Sequence, residues 1–396
     1  MNIWFLWRKF LADDIFYIQL TGRIDSSNAA PWEENILEAL NGCTASSVVL
    51  DAENLEYISS AGLRVILRVR KLRPELKIIN ASSAIYEIFE MTGFTEMIPV
   101  TKGYRKLSID GCEVIGQGAN GKVYRLDKDT IVKVYYKADA LPDIKREREL
   151  ARRAFVLGIP TAIPYDVARV GESYGSVFEL LNAKSFSKLM AEEPENMDKY
   201  VGLFVDLLKK IHSTEVNPED MPDQRAVVID WVNFLKDYLA PEKWEKLHKL
   251  VEAIPVDHHI IHGDYHTKNV MMQNGEVLLI DMDTLCQGNP VFEFASIYNA
   301  FVGFYDFDHD ATVAFQGLDY DTTISVWNKM LPLYFGTSDP DALKAVENKA
   351  AIIGYARLMR RLIRRNGFDT EEGKKLIAHY KNQIETRLDS VDTLMF

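Results

Sequence analysis

Residues 260–283 read IIHGDYHTKNVMMQNGEVLLIDMD, and the order of polar side chains in that stretch decides the fold of most of the chain. Asn269 follows Asp264 by five residues, Asp281 follows twelve later, and Asp283 two beyond that. Residues 276–280 have the branched, apolar character of a strand, and the flanking segments are helical in pattern. Chemistry accounts for each residue type. In-line phosphoryl transfer needs a carboxylate that orients an acceptor hydroxyl and takes its proton, which suits Asp264. It also needs hard oxygen ligands for Mg2+, which Asn269 and Asp281 can supply. His258, His259, His262 and His266 crowd the same region, but the first two are adjacent and so face opposite ways on a strand, and no cysteine joins them. They do not read as a transition-metal set, and His262 reads as an organiser of the loop.

Working upstream, Gly116-Gln117-Gly118-Ala119-Asn120-Gly121-Lys122-Val123 spells GxGxxGxV. A dinucleotide site would need a helix after the glycines. Here residues 122–126 alternate as a strand, turn at Asp127-Lys128-Asp129 and resume over 130–136. A strand, a glycine loop and a second strand can lie close over nucleotide phosphates, although a plain glycine-rich hairpin fits these residues equally well. The next residues break the tie. Lys133 sits in the apolar strand Ile131-Val132-Lys133-Val134, where an unpaired ammonium is costly and a phosphate with a carboxylate would relieve it. Two glutamates follow on a predicted helix. Leu150, Ala151, Ala154 and Phe155 lie three, four, seven and eight residues beyond Glu147, whereas the first such steps from Glu149 reach Arg152 and Arg153. Helix geometry therefore aims Glu147 inward, as the partner of Lys133, and Glu149 at solvent. Residues 177–181 (VFELL), with Glu179 and Leu181, read as the strand and hinge that touch adenine.

HGDxHxxN with the following IDxD resembles the aminoglycoside phosphotransferase and choline kinase group, the small-molecule branch of the protein-kinase-like fold, over residues 107–300. The resemblance implies ATP and Mg2+ as cofactors, with Asp264 as catalytic base, Asn269 and Asp281 as metal ligands, Asp283 completing the acidic pair, and Lys133 on the phosphates. It implies Gly116, Gly118, Gly121 and Val123 as the nucleotide loop, and a small-molecule hydroxyl as acceptor. Two features depart from kinase patterns. Glu293 stands where the group usually has an aspartate bracing the catalytic loop, and no DFG or APE sequence occurs, which argues against an ordinary protein kinase. Tyr305-Asp306-Phe307-Asp308-His309-Asp310 offers a cationic acceptor charge and aromatic faces, though a solvated loop is the simpler reading. Arg357, Arg360, Arg361, Arg364 and Arg365 recur at helical spacing; they could hold an anionic group or another domain, but a solvated helix face is again simpler.

Ahead of this region the pattern changes near Thr101-Lys102-Gly103. Strands are expected over 15–24, 48–50, 76–79 and 97–100, and helices around 32–40, 60–73 and 85–94, the signature of a small α/β layer domain. LTGRIDSSNA, VVLDAENLEYISSAGLRVIL and IINASSAIYEIFEMTGFTEMIPV resemble the STAS domain of bacterial anti-sigma-factor antagonists, over residues 13–100. In that family a partner kinase phosphorylates the serine two places before Gly-Leu, which is Ser60 here, and its state switches binding to a protein partner. Ser59 replaces the aspartate that often precedes it. On the residues alone, Ser59 or Ser60 is equally a helix cap.

The chain has 396 residues, 47% hydrophobic and 26% charged, which are globular proportions. Net charge is −12; nine basic and thirteen acidic residues through Thr101 leave −4 there and −8 in the remainder. Neither part has the bulk basic character that holds nucleic acid, and an acidic field mildly favours a cationic small molecule. Cys43, Cys112 and Cys286 are widely spaced, which suits a reducing, cytoplasmic setting, and no apolar run reaches membrane-spanning length. The opening MNIWFLWRKF reads as a first strand, not a signal peptide. The expectation is thus an α/β STAS domain over 1–101, followed by an α+β kinase-like bilobal domain with a β-rich lobe over 102–182 and a helical lobe over 183–396. Its expected activity is ATP-dependent phosphorylation of a small-molecule hydroxyl. Two alternatives stand beside it: a kinase acting on a STAS serine such as Ser60, and a nucleotide-sensing scaffold without turnover.

Overall fold

The computed structural model describes residues 10–12, 14–118, 120–137 and 139–396, which form two compact units. One comprises Met1–Asp110 with Val167–Gly175, the other Gly111–Asp166 with Ser176–Phe396. The expected opening strand falls on residues 1–10, of which 1–9 lie outside the described residues; Phe10–Ala12 is a short strand.

The first unit is built on a five-stranded sheet. Its strands run in chain order across the sheet: Phe10–Ala12, Ile15–Ile24, Ser47–Ile58, Lys77–Ala81 and Val100–Lys102. The first pair is antiparallel and the others are parallel. Phe16, Ile18 and Leu20 alternate into the core beside Val48 and Leu50, which their register places opposite Phe16 and Ile18. The helices Ala29–Leu40, Ser60–Leu72 and Ser83–Met91 bury Trp32 and Ile36, Val65, Ile66 and Val69, and Ile85 and Phe89 respectively. Each such side chain withdrawn from water stabilises the fold by about 1.5–3 kcal/mol. This is the α/β architecture expected. The last strand differs from expectation: Phe94–Met97 is a helical turn, and the strand begins only at Val100. Gly93, at φ 74°, ends one helix and starts that turn, and buried Ile98 anchors the chain before Val100 pairs with Ile78.

The second unit begins with an antiparallel meander, Val114–Gln117, Gly121–Arg125 and Thr130–Tyr135, and the strand Ser173–Glu179 lies next to the last of these. The helix Leu141–Val156 buries Ile144, Glu147, Leu150, Ala151 and Ala154. Phe155, expected on that face, is exposed: eight residues beyond Glu147 it stands about 80° round the helix from it, at the edge of the buried stripe. The remainder is a helical body whose aromatic centre includes Phe204, Tyr265, Phe294, Phe301 and Trp327. A strand-rich lobe followed by a helical one is the α+β kinase-like arrangement. Among the described residues, no helix is long and apolar enough to cross a membrane.

Candidate active site

The geometry of the site starts from a hairpin. Val270–Gln273 and Glu276–Leu279 pair antiparallel around Asn274 and Gly275, whose positive φ values of 52° and 85° form the tight turn that an Asn-Gly pair favours. Pairing continues past the open end, where the Ile280 amide donates to the Asn269 carbonyl (2.9 Å). Twelve residues of sequence thus fold back, and Asn269 and Asp281 become neighbours. Asp281 itself adopts a left-handed backbone (φ 65°), a conformation that costs a non-glycine residue energy and clusters at functional sites.

Residues 262–269 are held from every side. Tyr265, fully buried, donates its hydroxyl to the Phe204 carbonyl (2.6 Å), and the Thr267 hydroxyl donates to Gln316 Oε1 (2.8 Å). The buried Glu293 carboxylate accepts the amides of His262 and Gly263, the second at 3.0 Å. The brace expected of an aspartate is made by glutamate, whose extra methylene still lets each oxygen reach one of the two amides. His212 Nε2 lies 3.7 Å from the same carboxylate while its Nδ1 bonds Tyr334 Oη (2.7 Å). His262 is completely buried, with Nε2 3.2 Å from the Ile280 carbonyl and Thr284 donating to its own carbonyl (2.8 Å). It ties the loop to the end of the hairpin.

Asp264 is partly open to solvent, its side chain 39% exposed. Asn269 Nδ2 donates to its carbonyl (3.0 Å), a bond that leaves the Asn269 Oδ1 oxygen unused. His266 Nδ1 accepts the Lys268 amide (3.2 Å), so the neutral ring carries its proton on Nε2, 3.6 Å from Asp264 Oδ2. Burial alone would raise the Asp264 carboxyl; His266, and then the charge of Arg357, outweigh it and hold the group at about 2.

The second cluster meets the first from the strand-rich lobe. Lys133 Nζ donates to Glu147 Oε1 (2.9 Å) and to Asp281 Oδ1 (2.6 Å) at once. Burial opposes the ammonium charge, but Asp281 and Glu147 more than compensate and raise the Lys133 pKa above the ordinary lysine value. Burial pushes the Glu147 carboxyl up to about 7 against the pull of Lys133. Burial, and next the charge of Asp281, also raises Asp283. Three carboxylates around one lysine leave excess negative charge, and Glu147 Oε2 is buried without a hydrogen-bond partner. The donor set of Asp281, Asp283 and Asn269 Oδ1, all oxygen, fits a hard divalent cation such as Mg2+.

The glycine loop is a tight turn, in which the Gly118 amide donates to the Gly121 carbonyl (3.0 Å). Its glycines serve different ends. A Cβ on Gly121 would stand 2.2 Å from the Val134 carbonyl oxygen, so the neighbouring strand demands that glycine; a Cβ on Gly118 would meet nothing within 4 Å. Gly116 pairs with Val123, and Val123 with Lys133. Glu179 and Leu181 stand at the end of the strand Ser173–Glu179, where Glu179 accepts the Ile163 amide (3.3 Å) and Leu180 donates to the Asp129 carbonyl (2.8 Å). Ser60 belongs to the other unit. It is the exposed first residue of its helix, and the cap is Ser59, whose hydroxyl accepts the Ala61 amide (3.2 Å).

Two contributors escaped the sequence reading. Asn120 donates from the glycine loop to Asp283 Oδ2 (3.2 Å). Arg357, expected on a solvated helix face, is half-buried and donates to the Gly263 carbonyl (3.2 Å) and Ser296 Oγ (2.9 Å). The arginine spacing singled out its helix, but nothing in the spacing says which arginine turns inward. The acidic-aromatic loop also differs from a solvated one: Tyr305 is buried, and Asp306 is bonded by Tyr355 Oη (2.7 Å) and His379 Nε2 (2.8 Å).

Two family models match separate stretches of the chain. The model of the family described as "Phosphotransferase enzyme family" matches residues 111–325, just over half the chain, and the STAS domain model matches residues 11–107. A protein of Bordetella bronchiseptica named as an anti-sigma factor antagonist, BtrV, is 36% identical over 92 residues, which are 22% of this chain and 78% of that protein. Among solved structures, a thermostable mutant of aminoglycoside phosphotransferase APH(4)-Ia aligns with a TM-score of 0.48 at 14% identity, over 71% of this chain and 97% of that one. ADP-bound APH(2'')-Ib aligns at 0.47 and 15% identity, over 78% and 99%. A choline/ethanolamine kinase family protein from Mesorhizobium loti aligns at 0.46 and 13% identity, over 70% and 88%. The chain belongs to the phosphotransferase enzyme family, and carries a STAS domain ahead of its phosphotransferase region.

Proposed function

We propose that this phosphotransferase moves the γ-phosphoryl group of ATP to a hydroxyl of a small molecule, with the STAS domain binding a protein partner under the control of Ser60. The observation that carries the reading is Lys133 bonded to Glu147 and Asp281 together. That pair of bonds joins the strand-rich lobe to the end of the catalytic hairpin at one point, where nucleotide phosphates would take up the ammonium's remaining donor. Glu147 positions Lys133; the glycine hairpin covers the phosphates; Glu179 and Leu181 border the adenine. Asn269, Asp281 and Asp283 would hold Mg2+, which when bound neutralises charge building on the phosphates. Asp264 orients the acceptor hydroxyl and accepts its proton as the acceptor oxygen bonds to the γ-phosphorus and the bond to the β-phosphate oxygen breaks. With its carboxyl held near 2, Asp264 is ionised throughout the neutral range and ready to accept a hydrogen bond. Tyr265 and Glu293 fix the loop, so this positioning is built before substrate arrives.

The test is transfer of labelled phosphate from γ-labelled ATP to a panel of aminoglycosides, choline-like amines, sugars and nucleosides. Wild-type protein should label at least one class, and Asp264→Ala should reduce transfer by about 10²–10⁴-fold. Unchanged transfer by Asp264→Ala would remove Asp264 from the reaction.

A further inference from the structure

Five arginines lie within nine residues of one helix, Pro340–Arg364 and its C-cap, in a chain with twelve more acidic than basic residues. Among the described residues, none of the five has a carboxylate within ion-pair distance, although Arg152 and Arg153 elsewhere share Glu149 at 2.7 and 2.8 Å. The helix sorts them into two rows. Arg357, Arg361 and Arg365 follow one another at four-residue steps, and Arg360 and Arg364 form a second row. The first row starts at the catalytic loop, because Arg357 bonds the carbonyl of Gly263, the residue before Asp264. Arg361, one turn further along the same row, has its charge opposed by partial burial and by repulsion from Arg365 and Arg357, and favoured by Asp264. Arg360, in the second row, feels Asp230 instead. Arg361 and Arg365 are exposed, so their guanidinium groups are open to a ligand. Like charges at this spacing repel, and among the described residues no carboxylate stands close enough to pair with them. In the acidic-aromatic loop, which could have met a cation, Asp306 is committed to Tyr355 and His379.

We infer that the acceptor of this phosphotransferase is an anionic small molecule, whose phosphate or carboxylate is gripped by Arg361 and Arg365 while its hydroxyl meets Asp264. The inference rests on the proposed phosphoryl transfer and names its substrate class. A planar guanidinium pair suits oxyanions because each can donate two parallel hydrogen bonds. Arg357, fixed by Gly263 and Ser296, keeps the row in register with the loop.

Calorimetric titration of inorganic phosphate, and separately of acetate, into the protein saturated with Mg2+ and AMP-PNP tests this directly. The nucleotide analogue fills the other phosphate site, and the two probes separate a phosphorylated acceptor from a carboxylic one. At least one probe should bind wild-type protein, with affinity reduced about tenfold or more in Arg361→Gln/Arg365→Gln. Arg364→Gln, in the second row, should bind it like wild type. All three proteins should bind AMP-PNP equally. Binding of neither probe, an undiminished affinity in the double variant, or an equal loss in Arg364→Gln would overturn the inference. Failure of wild-type protein to bind AMP-PNP would instead overturn the proposed nucleotide site beneath it.

Discussion

The helix start at Ser59-Ser60 and the loop from His262 to Asn269 are the two places where short motifs pointed to function, and they are built in opposite ways. The first is local. Ser59 caps the helix through one bond to Ala61, Ser60 stands exposed beside it, and the capping bond itself spans three residues, with one further tie from the Ser59 amide to the Ile24 carbonyl. The second is convergent. Its shape depends on Phe204, Glu293, Gln316 and Arg357, and its chemistry on Lys133 and Glu147 from another lobe. A local site can be altered one residue at a time without disturbing the fold. A convergent one responds to changes far away in sequence.

That contrast can be broken most severely at Lys133. Lys133→Met should lower phosphate transfer by about 10²–10³-fold, as loss of a preorganised charge does, while far-ultraviolet circular dichroism stays native. Next comes the glycine loop, where two substitutions of identical chemistry should differ. Gly121→Ala should cost about 3 kcal/mol in denaturant titration, because its Cβ collides with the Val134 carbonyl; Gly118→Ala should stay within about 0.5 kcal/mol. Glu293→Gln keeps the volume but weakens the double acceptance from His262 and Gly263, with an expected loss of about 1–3 kcal/mol and a fall in kcat larger than any rise in KM. At the local site the effects should be smallest. Ser59→Ala should cost about 1 kcal/mol for the lost cap, and Ser60→Ala less than about 0.5 kcal/mol. A large loss at Ser60 would mean that this serine is structural.

The comparison can also be sharpened by pH. Asp264 has its carboxyl depressed in the folded state, so its contribution to stability is present above its ordinary value of 3.8 and lost as pH falls through about 2. The difference in melting temperature between wild-type protein and Asp264→Asn should therefore shrink as pH falls from 4 to 2. A difference that stays constant across that range would show that the loop does not hold Asp264 ionised.

How far the sequence could be read follows the same division. Glu147 and Glu149, two residues apart, were separated by helix counting alone, since the apolar stripe continues from one and the arginines from the other. The hairpin that joins Asn269 to Asp281 is legible from its strand pattern and from its Asn-Gly turn. Phe155 lies at the edge of its stripe, where residue counting does not decide burial, and the left-handed Gly93 restarts a helical turn that delays the last strand. Asn120 with Asp283, and Arg357 with Gly263, were out of reach: 163 and 94 residues separate the partners, and their meeting depends on how whole elements pack.

If Lys133 and the carboxylates around it form one nucleotide site, that site can be separated from Asp264, the proposed proton acceptor. Calorimetric titration of AMP-PNP with Mg2+ into wild-type protein, Lys133→Met and Asp264→Ala puts it to the test. The account predicts one equivalent bound by wild type, similar affinity in Asp264→Ala, and affinity about tenfold or more weaker in Lys133→Met. Equal binding by wild type and Lys133→Met, or no binding by any of the three, would contradict it.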